Sequence, residues 1–305
     1  MDYYNYAGGF GANDLKIALS LSIAKVGIGR LFYVREKMMN LLMCPVCRQT
    51  LSLTDQTWRC LNHHSYDVAK QGYVNLHVVQ HKHSKNPGDT AESVQARRAF
   101  LSAGFYALLQ QAVVEKIRAL KIETLLDIGC GEGYYTAAMQ AEVQQCVGVD
   151  IAKNAVQVAA KLNKNVVWVV GTGATLPVLD GCIDLCSSLF SPIPEQEILR
   201  VLKPHGYLLV VTPANGHLYA LREALFEEVN PHQPQKFVEQ LQGNFDLVEQ
   251  WIVDAPLTLP QTALKQLIAM TPYAYKAKPE RRQALEQNEH LSLNAQFQLY
   301  LFKKK

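Results

Sequence analysis

The chain has 305 residues, a formal net charge of +3 and 49% hydrophobic residues. This length is typical of about two domains, and the apolar fraction is sufficient to bury a real core. A charge so close to neutral excludes a protein-wide polyelectrolyte, so any nucleic-acid surface must come from local clusters of basic residues. No apolar run approaches the roughly eighteen residues of a membrane span, and no signal peptide is recognisable. We therefore expect a cytoplasmic protein with no membrane partner.

Residues 1–40 show no hydrophobic periodicity and no motif. We interpret this segment as either an upstream extension or a loosely ordered tail, and we assign it no function.

Three of the seven cysteines lie close together in the next segment. Cys44 and Cys47 form a C-x-x-C knuckle, Cys60 follows after twelve intervening residues, and His63 and His64 come directly behind it. Three thiolates and one imidazole complete a tetrahedral zinc shell with no open position, which predicts a structural Zn²⁺ site. The spacing permits either histidine as the fourth ligand. Free buried cysteines and a redox C-x-x-C are the alternatives, but the redox site would leave the third cysteine and the histidine idle.

Basic and aromatic residues alternate without an apolar stripe in the segment that follows. Such a mixture is suited to phosphate contact and base stacking, although an ordinary solvated loop has the same composition. Asp89 and Glu92 resemble a capping box, and the helix beyond them is expected to expose Arg97 and Arg98. The alternating residues are Tyr66, Lys70, Tyr73, His77, His81, Lys82, His83 and Lys85.

A glycine-rich stretch at 125–136 predicts a buried strand, a tight turn and the first turn of a helix. Asp127, Gly129, Gly131 and Gly133 form the pattern D-x-G-x-G-x-G, and the helix N-terminus directs free N–H groups at a ligand. A dinucleotide site requires G-x-G-x-x-G, but Tyr134 occupies the third glycine position. The pattern therefore favours S-adenosylmethionine over a nicotinamide cofactor.

A second acidic residue, Asp150, ends the next predicted strand. A carboxylate in this position, about twenty residues past the glycine turn, accepts hydrogen bonds from the hydroxyls of a cofactor ribose. A similar turn with another ligand, or with none, is the alternative.

From residue 123 onward, apolar strands alternate with helical segments, which predicts an α/β fold with a parallel sheet. Ligands of such sheets bind beyond the carboxyl ends of the strands, where the strand order reverses. We expect Asp127, Asp150 and the loops at 171–177 and 187–192 to meet there. The segments at 245–253 and 295–302 are expected to form the last two strands, joined as a hairpin.

From Cys44 to its C-terminus, the chain resembles the bacterial 23S rRNA (guanine-N1)-methyltransferases. A zinc knuckle combined with the stretch at 95–101 and the glycine motif is much more specific than the glycine motif alone. The matching stretches are 44–47, 66–67, 72–76, 80–82, 87–89, 95–101, 127–136 and 271–273.

The resemblance implies a small N-terminal zinc domain that grips rRNA and a class I, Rossmann-like domain of seven strands, the last antiparallel. It selects His64 over His63 as the zinc ligand, and it implies a homodimer with a basic cleft. It also adds four residues to the cofactor site: Tyr106, Tyr135, Thr136 and His217. The implied segments are an extension at 1–40, a zinc-binding domain for RNA recognition at 41–82, a helical linker at 83–120 and a methyltransferase domain at 121–305.

The implied reaction transfers the methyl group of S-adenosylmethionine to N1 of a guanine in a 23S rRNA hairpin loop, at a site of the guanine-745 type. A small-molecule methyltransferase and an inactive zinc-ribbon RNA-binding protein are the alternatives. No catalytic residue is assigned: Glu195, Glu197 and His205 lie in the relevant region of the sequence, and none is favoured as a base.

Overall fold

The computed structural model describes residues 41–78 and 88–305, which belong to one compact unit. The extension at 1–40 and half of the residues named in the basic and aromatic stretch, those at 81–85, lie outside these ranges. Within the described ranges, no helix is both long enough and apolar enough to span a membrane.

The N-terminal part is a small antiparallel sheet, which we call the ribbon (residues 41–72). Its strands are β1 (Ser52–Thr54), β2 (Thr57–Arg59) and β3 (Ser65–Asp67), in that spatial order. A two-residue turn joins β1 and β2, and Asp55 adopts a left-handed conformation in it with φ of 57°. The sequence predicts short strands around 49–53 and 57–59, and the structure adds β3 as a third.

The main sheet has eight strands in the described ranges, in the order β10-β11-β9-β8-β5-β6-β7-β4. Seven of them come from residues 124–304, and the eighth, β4, directly follows the ribbon. The strands are β4 (Tyr73–Asn75), β5 (Thr124–Ile128), β6 (Gln145–Asp150), β7 (Val167–Val170), β8 (Ile183–Leu189), β9 (Leu202–Pro213), β10 (Phe245–Pro260) and β11 (His290–Lys304).

The order of the strands reverses between β5 and β8. The chain builds β6 and β7 on one side of β5, and then returns to place β8 and β9 on the other side. The last strand, β11, is antiparallel to both of its neighbours, β9 and β10. This is the Rossmann-like arrangement predicted for a class I methyltransferase, and it opens a crevice beyond the carboxyl ends of β5 and β8.

Ten helices flank this sheet in the described ranges. They are α1 (Ala91–Ser102), α2 (Ala107–Leu120), α3 (Tyr134–Gln140), α4 (Lys153–Leu162), α5 (Glu195–Val201), α6 (Tyr219–Leu225), α7 (Lys236–Leu241), α8 (Gln261–Met270), α9 (Tyr273–Lys276) and α10 (Pro279–Leu285).

The buried side chains fall into two large clusters. The first cluster joins the sheet to helices α1 to α4, α6, α8 and α10. The second joins it to α5, α7 and the ribbon, whose Leu42, Leu51 and Trp58 are buried with Val147 and Val169 of the sheet. The ribbon therefore shares a hydrophobic core with the sheet.

Backbone hydrogen bonds strengthen this connection. Strand β4 pairs in parallel with β7, and Leu76 N donates to the oxygen of Val170. At the start of the ribbon, Met43 N donates to Pro177 O at 3.0 Å, and Leu179 N donates to Leu41 O at 2.9 Å.

Two predicted local features are wrong. Helix α1 is capped by Thr90, whose Oγ1 accepts from Ser93 N at 3.1 Å, because the Asp89 carboxylate is instead bound to Arg97. Strands β10 and β11 pair antiparallel as expected, but helices α8, α9 and α10 connect them in place of a hairpin turn.

Candidate active site and metal centre

The glycine motif forms a tight loop between β5 and α3. Gly133 is the residue before α3, with φ of 83°, and a Cβ there would lie 2.6 Å from Trp168 Cη2. A Cβ on Gly129, with φ of 76°, would lie 2.4 Å from Ser191 Cβ. Both the backbone conformation and the available space therefore require glycine at these positions.

Asp127 lies behind this loop, and its carboxylate is fully buried. Its Oδ2 accepts from Thr136 Oγ1 at 2.5 Å, and its Oδ1 accepts from Ser187 Oγ at 2.8 Å. Burial raises the pKa of Asp127 to about 6, although the two hydroxyl groups favour the ionised form. Asp127 thus ties β5 to α3 and to β8.

Asp150 lies at the end of β6, where its carboxylate meets the glycine loop. Gly131 N donates to Oδ2 at 2.9 Å, and Ala152 N donates to Oδ1 at 2.7 Å. Each oxygen keeps a second lone pair for a ligand hydroxyl. Burial raises the pKa of Asp150, and the two backbone N–H groups partly oppose this increase.

A cleft of about 1000 Å³ lies beyond the carboxyl ends of the strands. This volume is at the upper end of small-molecule sites, so it can accommodate a cofactor and part of a substrate. Residues 171–174 and 189–194 line the cleft, so part of each predicted loop, 171–177 and 187–192, lies there. Six predicted residues line it: Tyr106, Gly129, Gly131, Tyr135, Asp150 and His217. Three do not: Asp127, Gly133 and Thr136.

Aromatic side chains form one wall of this cleft. Phe297 packs against Tyr106 with ring centroids 4.8 Å apart and against Phe190 at 5.7 Å. The Tyr135 hydroxyl is buried with no hydrogen-bond partner in the described structure. A ligand with a polar group can satisfy this hydroxyl, so the wall is compatible with the amino-acid end of S-adenosylmethionine.

Two histidines lie on the same side of the cleft. His217 Nδ1 lies 2.8 Å from Gln296 O, so Nδ1 carries the hydrogen and Nε2 is an acceptor. Burial lowers the pKa of His217 to about 3 and that of His232 to about 4, so both rings are neutral at pH 7. His232 was not predicted, because a single histidine in an irregular segment carries no sequence signal.

Arg97 was predicted to be exposed, but it is held in an ion-pair network at the edge of the cleft. Its side chain is only 23% exposed, and it binds Asp89 and lies 3.5 Å from the buried Glu132 of the glycine loop. Helix α1 is thereby attached to the loop that shapes the cleft. Arg98 is exposed, as predicted.

The three residues considered as possible bases do not line the cleft. Glu197 accepts from Leu176 N at 2.7 Å and pairs with Arg200, and Glu195 accepts from Asn244 Nδ2 at 2.8 Å. Since neither carboxylate faces the cleft and His205 lies away from it, none of them is placed for proton transfer.

The ribbon brings four potential zinc ligands together: Cys44, Cys47, Cys60 and His64. Their ligand atoms all lie within 4.8 Å of one another, and Cys60 Sγ is 3.4 Å from His64 Nδ1. A tetrahedral zinc shell requires sulfur–nitrogen and sulfur–sulfur separations of about 3.6–3.8 Å, so the cluster matches a structural Zn²⁺ site. His63, with φ of 62°, turns the chain and is not part of the cluster.

Tyr66 supports this cluster from outside. Its hydroxyl lies 3.3 Å from Cys44 Sγ. Burial raises the pKa of the Cys44 thiol, but hydrogen bonds from Tyr66 and from the backbone outweigh it and lower this pKa to about 7. A hydroxyl that stabilises a thiolate is a common outer partner of a metal ligand.

Comparison with known proteins agrees with this architecture. The family model described as "RlmA, N-terminal", a zinc ribbon, matches residues 42–85, and the model described as "Methyltransferase domain" matches residues 126–210.

Three relatives share most of their length with the chain. The 23S rRNA (guanine(748)-N(1))-methyltransferase of Streptomyces fradiae is 35% identical over 255 residues, which are 81% of this chain and 90% of the relative. A putative 23S rRNA (guanine-N(1)-)-methyltransferase of Micromonospora griseorubida is 33% identical, over 79% of this chain and 88% of its own. A protein of Bacillus subtilis with a similar name, YxjB, is 29% identical, over 81% and 92%. The chain therefore belongs to the family of 23S rRNA (guanine-N1)-methyltransferases, class I enzymes that depend on S-adenosylmethionine and carry an N-terminal zinc ribbon.

Proposed function

We propose that this protein transfers the methyl group of S-adenosylmethionine to N1 of a guanine in a hairpin loop of 23S rRNA. The similarity to the Streptomyces fradiae methyltransferase carries this proposal, because it extends over 81% of this chain and 90% of that protein, which is more than a methyltransferase domain at 121–305 alone provides. We propose a loop guanine of the 745 type, a site close in number to the guanine 748 in the relative's name.

We infer the roles of the cleft residues in this reaction from their positions. S-adenosylmethionine supplies a methyl group that is already activated on a sulfonium, so the protein has chiefly to bind and orient. Asp150 holds the ribose hydroxyls, and the glycine loop and Tyr106 enclose the nucleoside. Tyr135 and His217 face the amino-acid end of S-adenosylmethionine. Asp127 and Thr136 act from behind the loop, by fixing its position.

The guanine N1 atom carries a proton, and its release is favoured by an acceptor beside it. His232 is a candidate acceptor, because its ring is neutral and its buried Nε2 has no hydrogen-bond partner in the described structure. Replacing His232 with phenylalanine should lower kcat by roughly tenfold to a hundredfold and leave the affinity for S-adenosylmethionine unchanged. An unchanged kcat would remove His232 from this role.

Primer extension on 23S rRNA tests the reaction and its site together. Unmodified 23S rRNA is incubated with the purified protein and S-adenosylmethionine, and a second sample omits the methyl donor. An N1-methyl group blocks Watson–Crick pairing, so reverse transcription should stop at one guanine in the complete reaction only. The position of the stop distinguishes a 745-type site from guanine 748.

A small-molecule methyltransferase is the main alternative. Its catalytic fold would be similar, but the joining of a zinc ribbon to the sheet through β4 favours a macromolecular substrate. Binding of S-adenosylmethionine without any primer-extension stop would support the alternative. RNA binding without cofactor binding would instead support an inactive RNA-binding module.

We further propose that the protein acts in the cytoplasm as a homodimer, with the zinc domain at 41–82 gripping the rRNA hairpin. Dimerisation rests on the resemblance to the family, and sedimentation equilibrium of the purified protein tests it. A monomer mass at micromolar concentration would contradict it.

A further inference from the structure

Phe190 stands out at the junction between β8 and the loop that lines the cleft. Its φ is 57°, in the left-handed region that bulky residues rarely adopt, and its side chain is 45% exposed although it is aromatic. Such a conformation is strained for a residue with a bulky side chain. Glycine would relieve this strain, so the aromatic ring itself requires an explanation.

Several hydrogen bonds hold the turn in this conformation. Phe190 N donates to Val211 O at 2.9 Å, and Ser191 Oγ donates to Ile128 O at 2.6 Å. Ser188 Oγ bonds to Ser191 as well. The turn is thereby attached to the carboxyl ends of β5 and β9. The position of the Phe190 ring is fixed relative to the glycine loop, which follows β5 directly.

The Phe190 ring rests on the aromatic wall and leaves surface open to the cleft. Its centroid is 5.7 Å from that of Phe297 and 6.4 Å from that of Tyr135. Phe190 also lines the cleft itself. A ring with a supported edge and an exposed surface is suited to stacking against a planar group that enters the cleft.

The residues after Phe190 favour a guanine as that planar group. Pro192 and Pro194 have no N–H, so the loop at 191–194 brings few backbone donors to the cleft. The carbonyl oxygens of Ser191, Ile193 and Pro194 already accept from Ser188 Oγ, Glu195 N and Ile198 N, and a carbonyl oxygen can accept a second hydrogen bond. The Watson–Crick edge of guanine carries hydrogens at N1 and N2 and an acceptor at O6, so two of its three polar groups need acceptors.

We propose that Phe190 is the stacking residue for the target guanine, which must leave the RNA stack to reach the methyl donor. This inference rests on the proposed function and names the residue that receives the base. The strain in the turn is then part of the site, because it keeps the ring exposed and facing the cleft while the base is absent.

A double-mutant cycle tests this role. The full-length zinc-loaded protein and its Phe190→Leu variant are titrated with two forms of a 23S rRNA hairpin, one with the target guanine and one with an abasic site there. Both titrations contain S-adenosylhomocysteine. The variant should bind the guanine hairpin roughly tenfold to a hundredfold more weakly than the wild type, and both proteins should bind the abasic hairpin equally. Equal losses on both hairpins would overturn the proposal.

Two further variants separate stacking from folding. Phe190→Tyr keeps the aromatic face and should retain wild-type affinity and rate. Phe190→Gly relieves the backbone strain, which offsets part of the packing lost with the ring, so it should still fold cooperatively and bind S-adenosylhomocysteine but lose guanine binding. Retention of binding by Phe190→Gly would contradict the proposal. Tyr219→Leu removes an aromatic residue that is 51% exposed outside the cleft lining, and it is the matched control.

Methylation of 23S rRNA by the wild-type protein separates failure of the proposed function from failure of the stacking role. If it does not methylate 23S rRNA at all, the proposed function fails. If it does methylate 23S rRNA but the cycle shows no coupling, only the role of Phe190 fails.

Discussion

Two aspartates, each at or next to the end of a parallel strand, have different roles in this molecule. The two carboxylate oxygens of Asp127 accept hydrogen bonds from the hydroxyl groups of Thr136 and Ser187, and Asp127 does not line the cleft. The two carboxylate oxygens of Asp150 accept hydrogen bonds from backbone N–H groups, and Asp150 lines the cleft. The first organises the elements around the glycine loop, and the second remains available to a ligand.

Substitution of Asp150 by asparagine should weaken binding of S-adenosylmethionine roughly tenfold to a hundredfold. Hydrogen bonds to a charged group contribute about 1.5–3 kcal/mol, and the amide retains only one acceptor oxygen. Titration calorimetry measures the change. Asp184→Asn is the matched control, because Asp184 also accepts from backbone N–H groups, those of Glu123 and Thr124, but away from the cleft. If both variants bind the cofactor as the wild type does, Asp150 is not a ribose ligand.

The raised pKa of Asp127 predicts how stability depends on pH. The folded protein holds this proton up to about pH 6, whereas the unfolded chain releases it near 3.8. Between these values the folded state binds more protons, so the contribution of Asp127 to stability falls as pH rises from about 4 to 6 and is constant above that range. The total change is on the order of 3 kcal/mol.

Urea unfolding of the wild type and Asp127→Asn at pH 4 and pH 6.5 measures this contribution. Relative to the wild type, Asp127→Asn should have a higher unfolding free energy at pH 6.5 than at pH 4. A difference that is independent of pH would show that Asp127 titrates normally.

Which residues lie near the cleft was largely predictable, but their contacts were not. Strand-end aspartates and glycine spacing follow from local sequence, so Asp150 and the glycine loop were placed correctly. The partner of Asp127, Ser187, is sixty residues away, and His232 comes from an irregular segment. Both contacts depend on tertiary packing, which a single sequence does not reveal.

At the scale of the elements, the ribbon shows how a turn selects one histidine. His63 takes a left-handed conformation, and its N donates to Cys60 O at 3.0 Å. The next residue, His64, then lies with its Nδ1 beside Cys60 and Cys44. The spacing alone permitted both histidines, because this backbone conformation is not encoded in spacing.

Alanine substitutions of these two neighbours provide a matched test of the zinc site. His64→Ala should lower the zinc content well below one ion per chain and weaken rRNA binding, because it removes one of four ligands. His63→Ala should keep both properties. Metal analysis of the purified proteins gives the answer, with S-adenosylmethionine affinity as a check that the cleft is intact. If His63→Ala loses zinc and His64→Ala keeps it, the assignment of the ligand is wrong.

At the scale of the whole molecule, the ribbon and the main sheet form one structural unit. Strand β4 follows the ribbon and completes the edge of the sheet beside β7, and Leu42, Leu51 and Trp58 enter the second core cluster. The resemblance implied a zinc-binding domain at 41–82 that a helical linker at 83–120 separates from a methyltransferase domain at 121–305. It gave no sign of this shared core, because pairing between β4 and β7 joins segments more than ninety residues apart.

This shared core predicts that removal of zinc destabilises the complete unit. Structural zinc sites contribute about 10–16 kcal/mol to the folding of small domains, which is comparable with the total stability of a domain. Even a third of that energy, at roughly 2–4 °C per kcal/mol for a chain of this size, should lower the melting temperature by about ten degrees. Differential scanning calorimetry with and without a strong chelator should show a single transition that moves as a whole. The Cys47→Ser protein should melt at the lower temperature with or without chelator. Two separate transitions, of which only one responds to the chelator, would mean that the ribbon folds independently of the sheet.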